Sequence, residues 1–458
     1  MITFMEEAGR VRPDTRQLSW YEMGCYAFVH FGMNTFTNRE WGDGTEAEGL
    51  FAPDDLDCDQ WVEAIKAAGM KGMILTAKHH DGFCLWPSAY TEHSVKNSPY
   101  GGDVVREAAE ACRRGGIRFG IYLSPWDRNN SLYGTDAYND YFCNQLEELL
   151  TGYGDIFCVW FDNACGEGPN GKVQHYDFGR YIELIRRLQP NAVIFNDYGP
   201  DVRWCGNEAG RSRYAEWAVV PSELCPYSRI QTGPGPLADS GSLDYLYNTG
   251  KNLGDLATIL YSKGLVYAPA EINLSIRPGW FWHPDEEPHD LHRLMEVYLT
   301  SYGANACMNL NVPPDIHGRI DERDVRRLAE LGAEIQRRFA NPIPCRQREV
   351  LQDYPMQPEY VLELLDKKAP TYVELREAIE EGQRIEHVRI TADIIGGGQY
   401  PLYEGNCVGN RLICRLEDPF AGQNPLINLN PEQMAGSLLK IRVTASRGPA
   451  KLKEIIVY

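Results

Sequence analysis

Short apolar runs alternate with amphipathic helical segments through the first three quarters of this chain of 458 residues. That alternation is its strongest constraint. From residue 24 the order is GCYAFVHFG (24–32), DQWVEAIKAAGM (59–70), KGMILTAKHHDGF (71–83), VVREAAEACRRGG (104–116), IRFGIYLSPWD (117–127), AYNDYFCNQLEELLTGYG (137–154), IFCVWFDNA (156–164), FGRYIELIRRLQP (178–190) and NAVIFND (191–197). Unbroken apolar runs of this length read as strands buried on both faces. The segments between them carry apolar residues on one face, and several end in Gly, as helices do. RYAEWAV (213–219), LVYAPAEINLS (265–275) and NACMNLNVPP (305–314) are expected as strands six to eight, with helices over 291–303 and 324–339. Repeated strand–helix units predict a (β/α)₈-like barrel. The competing open doubly wound sheet usually carries a Gly-rich fingerprint after its first strand, and HFGMNTF is not one. Beyond NPIPC (341–345) the apolar period becomes two, which predicts a small antiparallel β-sandwich. The expected units are 1–343, the barrel, and 344–458, the sandwich.

A parallel barrel keeps its chemistry at the C-terminal ends of its strands. The run Ile156–Phe161 stops abruptly at Asp162, which either works there or caps the following turn. Laid on the other strand ends are His30; His79, His80 and Asp81; Tyr122, Ser124 and Trp126; Trp160; Asn196 and Asp197; and Glu271, with Glu208 in a following loop. Two kinds of site fit. A divalent metal would draw on His79, His80, Asp81 and Asp162, but adjacent residues of a strand point to opposite faces and no HxH or HExxH spacing is present. A metal-free sugar site needs polar and aromatic side chains to hold a ring, plus two carboxyl groups for the chemistry. The second reading is favoured, with no cofactor.

Composition narrows the partners. A formal charge of −19 argues against nucleic acid and anionic membranes and suits a neutral ligand. The 13 Cys are odd in number and form no CxxC pair, which reads as reduced thiols. No signal-peptide pattern opens the sequence and no segment approaches membrane-spanning length, so the expected location is cytoplasmic.

The set HFGMNTF, EWGDG, AKHHDGFCLWPS, VWFDN, SIRPGWFWH and NLNVPPDIHGRI resembles the α-L-fucosidases of glycoside hydrolase family 29, and the likeness continues into GQRIEHVRI of the second unit. The resemblance implies a distorted barrel with a C-terminal sandwich, a retaining mechanism and no catalytic metal. It makes Asp162, two residues after Trp160, the nucleophile. RWCGNEAG resembles the acid/base loop of the branch acting on α1,3/4-linked fucose in branched, Lewis-type glycans, which assigns that role to Glu208; GWFWH points to the same branch. Fucose would be held by His30, Glu40, Trp41, His79, His80, Tyr122, Trp160 and Trp282. Structural readings stand beside these: His80 with Asp81 as a wall pair, Trp41 as an exposed loop aromatic, Trp282 packed against the sandwich. Glu216 and Glu271 are rival acid/base candidates. The rival functions are a glycan-binding protein on an inactive scaffold, a different glycosidase, or a fucosidase of broader linkage range.

Overall fold

A computed structural model of the chain describes residues 4–229, 250–351, 356–417, 419 and 422–458. Its centre is an eight-stranded parallel sheet built from β1 (Cys25–Val29), β2 (Gly72–Lys78), β3 (Arg118–Leu123), β4 (Ile156–Trp160), β5 (Val193–Phe195), β6 (Arg203–Trp204), β9 (Ala270–Ser275) and β10 (Cys307–Asn311). Their order across the sheet is β5-β4-β3-β2-β1-β10-β9-β6. A parallel bridge between Phe195 and Val202 brings the two edges together, so the sheet is a nearly closed barrel. β2 is buried along its whole length, as its unbroken apolar run requires. The helices Cys58–Ala67, Val104–Gly115, Asp136–Gly152 and Phe178–Leu188 follow the first four strands and turn their apolar faces inward. Asp57, Asp103 and Asp177 cap three of them by accepting a backbone N–H.

The second half departs from expectation. The sixth barrel strand is Arg203–Trp204, not 213–219, and it follows β5 without a helix. RYAEWAV alternates like a strand, but Ala215 and Trp217 pack with Cys407 of the C-terminal unit instead of in the barrel. The run 265–275 splits in two: β8 (Leu265–Tyr267) pairs antiparallel with β7 (Val219–Pro221), and only β9 joins the barrel.

The last helix of the barrel, Glu322–Phe339, packs on Cys58–Ala67. Beyond it two antiparallel sheets form, one of five strands and one of three. The alternating apolar residues of Ile385–Ile394 and Leu438–Ser446 meet those of Tyr372–Glu377 and Leu412–Arg415 in a second core. This sandwich joins the barrel by backbone bonds from Ile413 N to Gly303 O (2.8 Å) and from Asn305 N to Arg411 O (2.8 Å).

Gly332 lets two barrel helices touch. A Cβ there would lie 1.9 Å from the carbonyl oxygen of Ala67. Gly332→Ala is therefore expected to lose about 1–3 kcal/mol of stability despite the better helix propensity of Ala. Chemical denaturation checks this; an unchanged or raised midpoint would refute the close contact.

Candidate active site

A cavity of about 310 Å³ opens at the C-terminal ends of the barrel strands. Nine of the ten residues singled out from sequence line it: His30, Glu40, Trp41, His79, His80, Tyr122, Trp160, Asp162 and Glu208. Most stand on or just beyond a strand, where a side chain leaves the sheet for the barrel mouth, while Glu40 and Trp41 reach it from the loop after the short helix Met33–Thr37.

Asp162 lies two residues past β4. Its Oδ2 accepts from the Tyr122 hydroxyl (3.2 Å), and its Oδ1 accepts from Ala164 N (2.7 Å). Burial, then the neighbouring Asp162, pushes the Tyr122 phenol well above its ordinary range, so it remains a donor. His80 Nε2 stands 3.7 Å from Asp162 Oδ2.

Three imidazoles line the wall, and burial holds all three below their ordinary pKa, His30 at about 4. They are neutral near pH 7, so each has one donor and one acceptor nitrogen. The surrounding network fixes which is which. Asn311 gives both amide hydrogens away, to Ser275 Oγ (2.9 Å) and Trp280 O (2.7 Å), so its Oδ1 accepts from His30 Nδ1 (2.8 Å). Ser124 Oγ donates to Trp126 O (2.8 Å) and accepts from His80 Nδ1 (2.8 Å). Asn34 Nδ2 donates to His79 Nδ1 (3.1 Å). His30 and His80 thus keep Nε2 as an acceptor, and His79 keeps Nε2–H as a donor. A wall with both kinds of group suits hydroxyls, which donate and accept at once.

His79 and His80 are neighbours, yet both face the cavity. β2 ends at Lys78 and the chain turns, Gly82 N bonding to His79 O (3.0 Å), which leaves the rings 4.1 Å apart. The alternation expected of a continuing strand stops at that turn. Among the described residues no three His, Cys, Asp or Glu side chains come together as a metal-holding group.

Trp282 is the exception among the singled-out residues. It does not line the cavity; Trp280 does. Glu40 accepts from the backbone N–H of Trp280 (2.9 Å) and of Phe281 (3.2 Å), and His283 Nε2 meets it at 2.7 Å. This clamp sets Trp280 against His30, ring centroids 5.1 Å apart, and sends Trp282 to Asp321 at the start of the last barrel helix (3.3 Å). Trp280 Nε1 then donates to Glu208 Oε2 (3.1 Å). Burial raises the Glu208 carboxyl; the Trp280 bond opposes the rise, and Asp162 and Glu40 add to it. Trp41 is 59% exposed at the rim, edge-on to His80 and Trp126.

The rival carboxyls are placed elsewhere. Glu271 is fully buried and accepts from the Tyr26 hydroxyl, Trp160 Nε1 (2.8 Å), Asn273 Nδ2 (2.8 Å) and Asn309 Nδ2 (3.0 Å). It holds Trp160, which stacks on Phe195 at 4.2 Å and floors the cavity. Glu216 is buried against Arg203 and Arg213. Neither lines the cavity. Asp197, noted at its strand end but not singled out, does line it, and its carboxyl is pushed up to about 8 by burial, then by Asp162 and Glu208. Its position straight after an apolar run was the available signal. Trp204 and Asn273, also in the lining, carried none, because β6 is too short to recognise and Asn273 sits inside a strand.

Comparison with known proteins bears on this arrangement. Residues 11–220 match the family model described as alpha-L-fucosidase. Alpha-L-fucosidase 1 of Arabidopsis thaliana is 39% identical over 436 residues, 88% of this chain and 81% of that protein. The chain belongs to the α-L-fucosidase family. It is a glycoside hydrolase of family 29. A glycoside hydrolase 29 family member from a rumen bacterium superposes with a TM-score of 0.80 at 35% identity, covering 99% of this chain and 78% of the other. A Ruminococcus gnavus GH29 fucosidase solved in complex with fucose gives 0.79 at 27% identity, covering 98% and 95%.

Glu271 bears on the cavity through Trp160, whose indole N–H it accepts. An amide at that position would set an NH₂ against donors that now converge on a carboxyl group. Glu271→Gln is expected to lower unfolding free energy by about 1–3 kcal/mol. Equilibrium unfolding tests it, and a variant as stable as the parent would show that the four donors do not need the carboxylate.

Proposed function

We propose that this α-L-fucosidase is a retaining exo-enzyme, with Asp162 as nucleophile and Glu208 as acid/base, acting on terminal α1,3/4-linked fucose of branched glycans. The observation that carries the proposal is one cavity holding both carboxyl groups in contrasting surroundings. Asp162 has two donors and a neutral imidazole beside it, while Glu208, exposed at the cavity mouth, accepts from a single indole N–H and is shifted upward by partial desolvation. Pairs of carboxyls set apart in this way suit the division of labour in glycoside hydrolysis.

In the first step Asp162 attacks the anomeric carbon, and Glu208 passes its proton to the departing glycosidic oxygen as the C–O bond breaks. In the second step Glu208, now a carboxylate, takes a proton from water. That water attacks the same carbon, the bond to Asp162 breaks, and the two inversions give retention. His30 and His80 would accept from fucose hydroxyls, His79 would donate to one, and Trp160 and Trp280 would offer apolar ring surface. The linkage rests on the likeness of RWCGNEAG and GWFWH to the branch acting on α1,3/4-fucosides. It gains support from the bond between Trp280 of the second segment and Glu208 of the first.

The two carboxyls should fail differently. Asp162→Ala is expected to be inactive on every fucoside. Glu208→Ala should still cleave the first bond of an aryl fucoside with a nitrophenol leaving group, which hardly needs protonation. It should then accumulate the covalent intermediate, and it should lose about 10²–10⁴-fold on an oligosaccharide. Intact-mass trapping and initial rates test this. Equal losses on both substrates would remove Glu208 from the acid/base role.

The linkage reading predicts a higher kcat/KM on Lewis-type trisaccharides carrying α1,3- or α1,4-fucose than on 2′-fucosyllactose. The opposite order would leave a fucosidase of broader or different linkage range.

A further inference from the structure

We propose that the C-terminal β-sandwich is a positioning element of the acid/base loop, acting through Gln383, Cys407 and Arg447. The inference rests on the reading of Glu208 as the acid/base residue. Residues 205–218 form no strand or helix. Two backbone bonds to β9, Cys205 N to Glu271 O (3.2 Å) and Gly210 N to Asn273 O (3.1 Å), pin the near part of the loop that carries Glu208. Side chains hold its far part, residues 211–218, in two layers.

The inner layer belongs to the barrel. Asn207 closes the loop on itself, its Oδ1 accepting from Ala209 N (3.0 Å) and Arg211 N (3.2 Å) and its Nδ2 donating to Arg211 O (2.7 Å). Arg213 Nη1 donates to Cys205 O (2.7 Å), which ties the two sides together across Glu208. Arg213 N donates to Glu216 Oε2 (2.9 Å), and Arg203, in β6, donates to the other oxygen of the same carboxylate and to Trp217 O (2.9 Å). Burial alone would raise the Glu216 carboxyl, but the two guanidinium groups outweigh it and hold Glu216 below its ordinary value. Glu216 is thus an ionised buckle that fixes both ends of the loop.

The outer layer comes from the sandwich and grips the buckle from behind. The Glu216 carbonyl accepts from Cys407 Sγ (3.3 Å) as well as from Asn305 Nδ2 of the barrel (2.7 Å). Ala218 N donates to Gln383 Oε1 (2.9 Å), while Gln383 Nε2 donates to Cys407 Sγ (2.9 Å). The Arg447 guanidinium lies 3.6 Å over the Trp217 ring and also donates to the Gly254 carbonyl. Gln383, Cys407, Arg447 and Trp217 are all buried. A buried guanidinium against an indole face is a strong contact, because desolvation strengthens the attraction. These three residues hold 216–218, and 216–218 hold the loop. Proton transfer to a leaving oxygen tolerates little misplacement of the acid, whereas attack by Asp162, from β4, does not pass through this chain of contacts.

The test uses the full chain, with Arg447→Met, Arg447→Lys and Gln383→Leu beside Glu208→Ala as reference, on a nitrophenyl fucoside and a fucosyl disaccharide. Arg447→Met and Gln383→Leu should lower kcat/KM for the disaccharide by about tenfold or more while the nitrophenyl fucoside stays within about twofold. Arg447→Lys, which keeps a cation over Trp217, should recover much of the loss. Combined with Glu208→Ala, Arg447→Met should add no further loss on the disaccharide, since coupled groups are not additive. Equal falls on both substrates would reduce the sandwich to a structural support and overturn the inference, as would no fall on either. If Arg447→Met does not fold, Gln383→Leu carries the same comparison. If Glu208→Ala itself lacks leaving-group dependence, the acid/base assignment fails and takes this inference with it. If Glu208→Ala has it and the sandwich variants do not, only the inference fails.

Discussion

Among the described residues lining the cavity there is no Lys or Arg, and the chemistry of the site follows from that. Carboxyl groups without cations must be held by neutral donors or keep their protons. Three carboxyl groups of one barrel mouth show the constraint at work. Asp162 has a phenol and a backbone N–H; Glu208, at the open mouth, has one indole N–H and partial desolvation; half-buried Asp197 has desolvation and two acidic neighbours. The imidazoles obey the same rule from the other side. Desolvation outweighs every nearby acid and leaves them neutral, able to read hydroxyls instead of pairing with charge. Where cations do occur they sit behind the wall, as Arg203 and Arg213 do, and act on the loop instead of the ligand.

The first five strands were legible because each is a continuous apolar run, and a run buried on both faces has only one reading. Strand six was not. Arg203–Trp204 is two residues long, and its Arg is buried with Glu216 and three backbone carbonyls, of Trp204, Trp217 and Ala268, to receive it. A charge buried by distant partners leaves no local trace. RYAEWAV misled for the converse reason: its alternation is real, but the surface it packs against belongs to the sandwich. At the site the same contrast holds. Residues on strand ends were found from the run that precedes them, while Trp280 and Trp282, two apart in a loop, could be told apart only by the Glu40 clamp some 240 positions away. Resemblance to a family placed a Trp in that loop; hydrogen bonds decided which one enters.

Burial by itself does not identify an acid. Glu271 and Glu208 are both raised by desolvation, and Glu271 is the more deeply buried. The difference lies in what remains to be satisfied. Four donors converge on Glu271, and it has no path to the cavity, so a proton placed there would have to displace one of them. Glu208 accepts from a single indole in the same cavity as Asp162. A group that must give up a proton and take one back needs spare bonding capacity on the side where the substrate arrives. By that criterion Glu271 belongs to the scaffold of Trp160, and the strand-end position that made it a rival says only that it is close.

Asp197 completes the charge balance of the cavity. Asp197 is half-buried, and desolvation, then Asp162 and Glu208, push its carboxyl up to about 8, which favours the protonated form at neutral pH. Were it ionised, it would add a negative charge to a cavity that already holds Glu40, Asp162 and Glu208 and has no Lys or Arg in its described lining, and each neighbour would hold a proton more tightly. On the proposed roles, that would favour Glu208 as an acid but hinder its return as a base, and the added negative charge would also sit beside the proposed nucleophile. A neutral Asp197 avoids both effects and still offers a hydrogen bond. A carboxyl outside the proposed catalytic pair can therefore bear on how that pair divides its work within the same few hundred cubic ångströms.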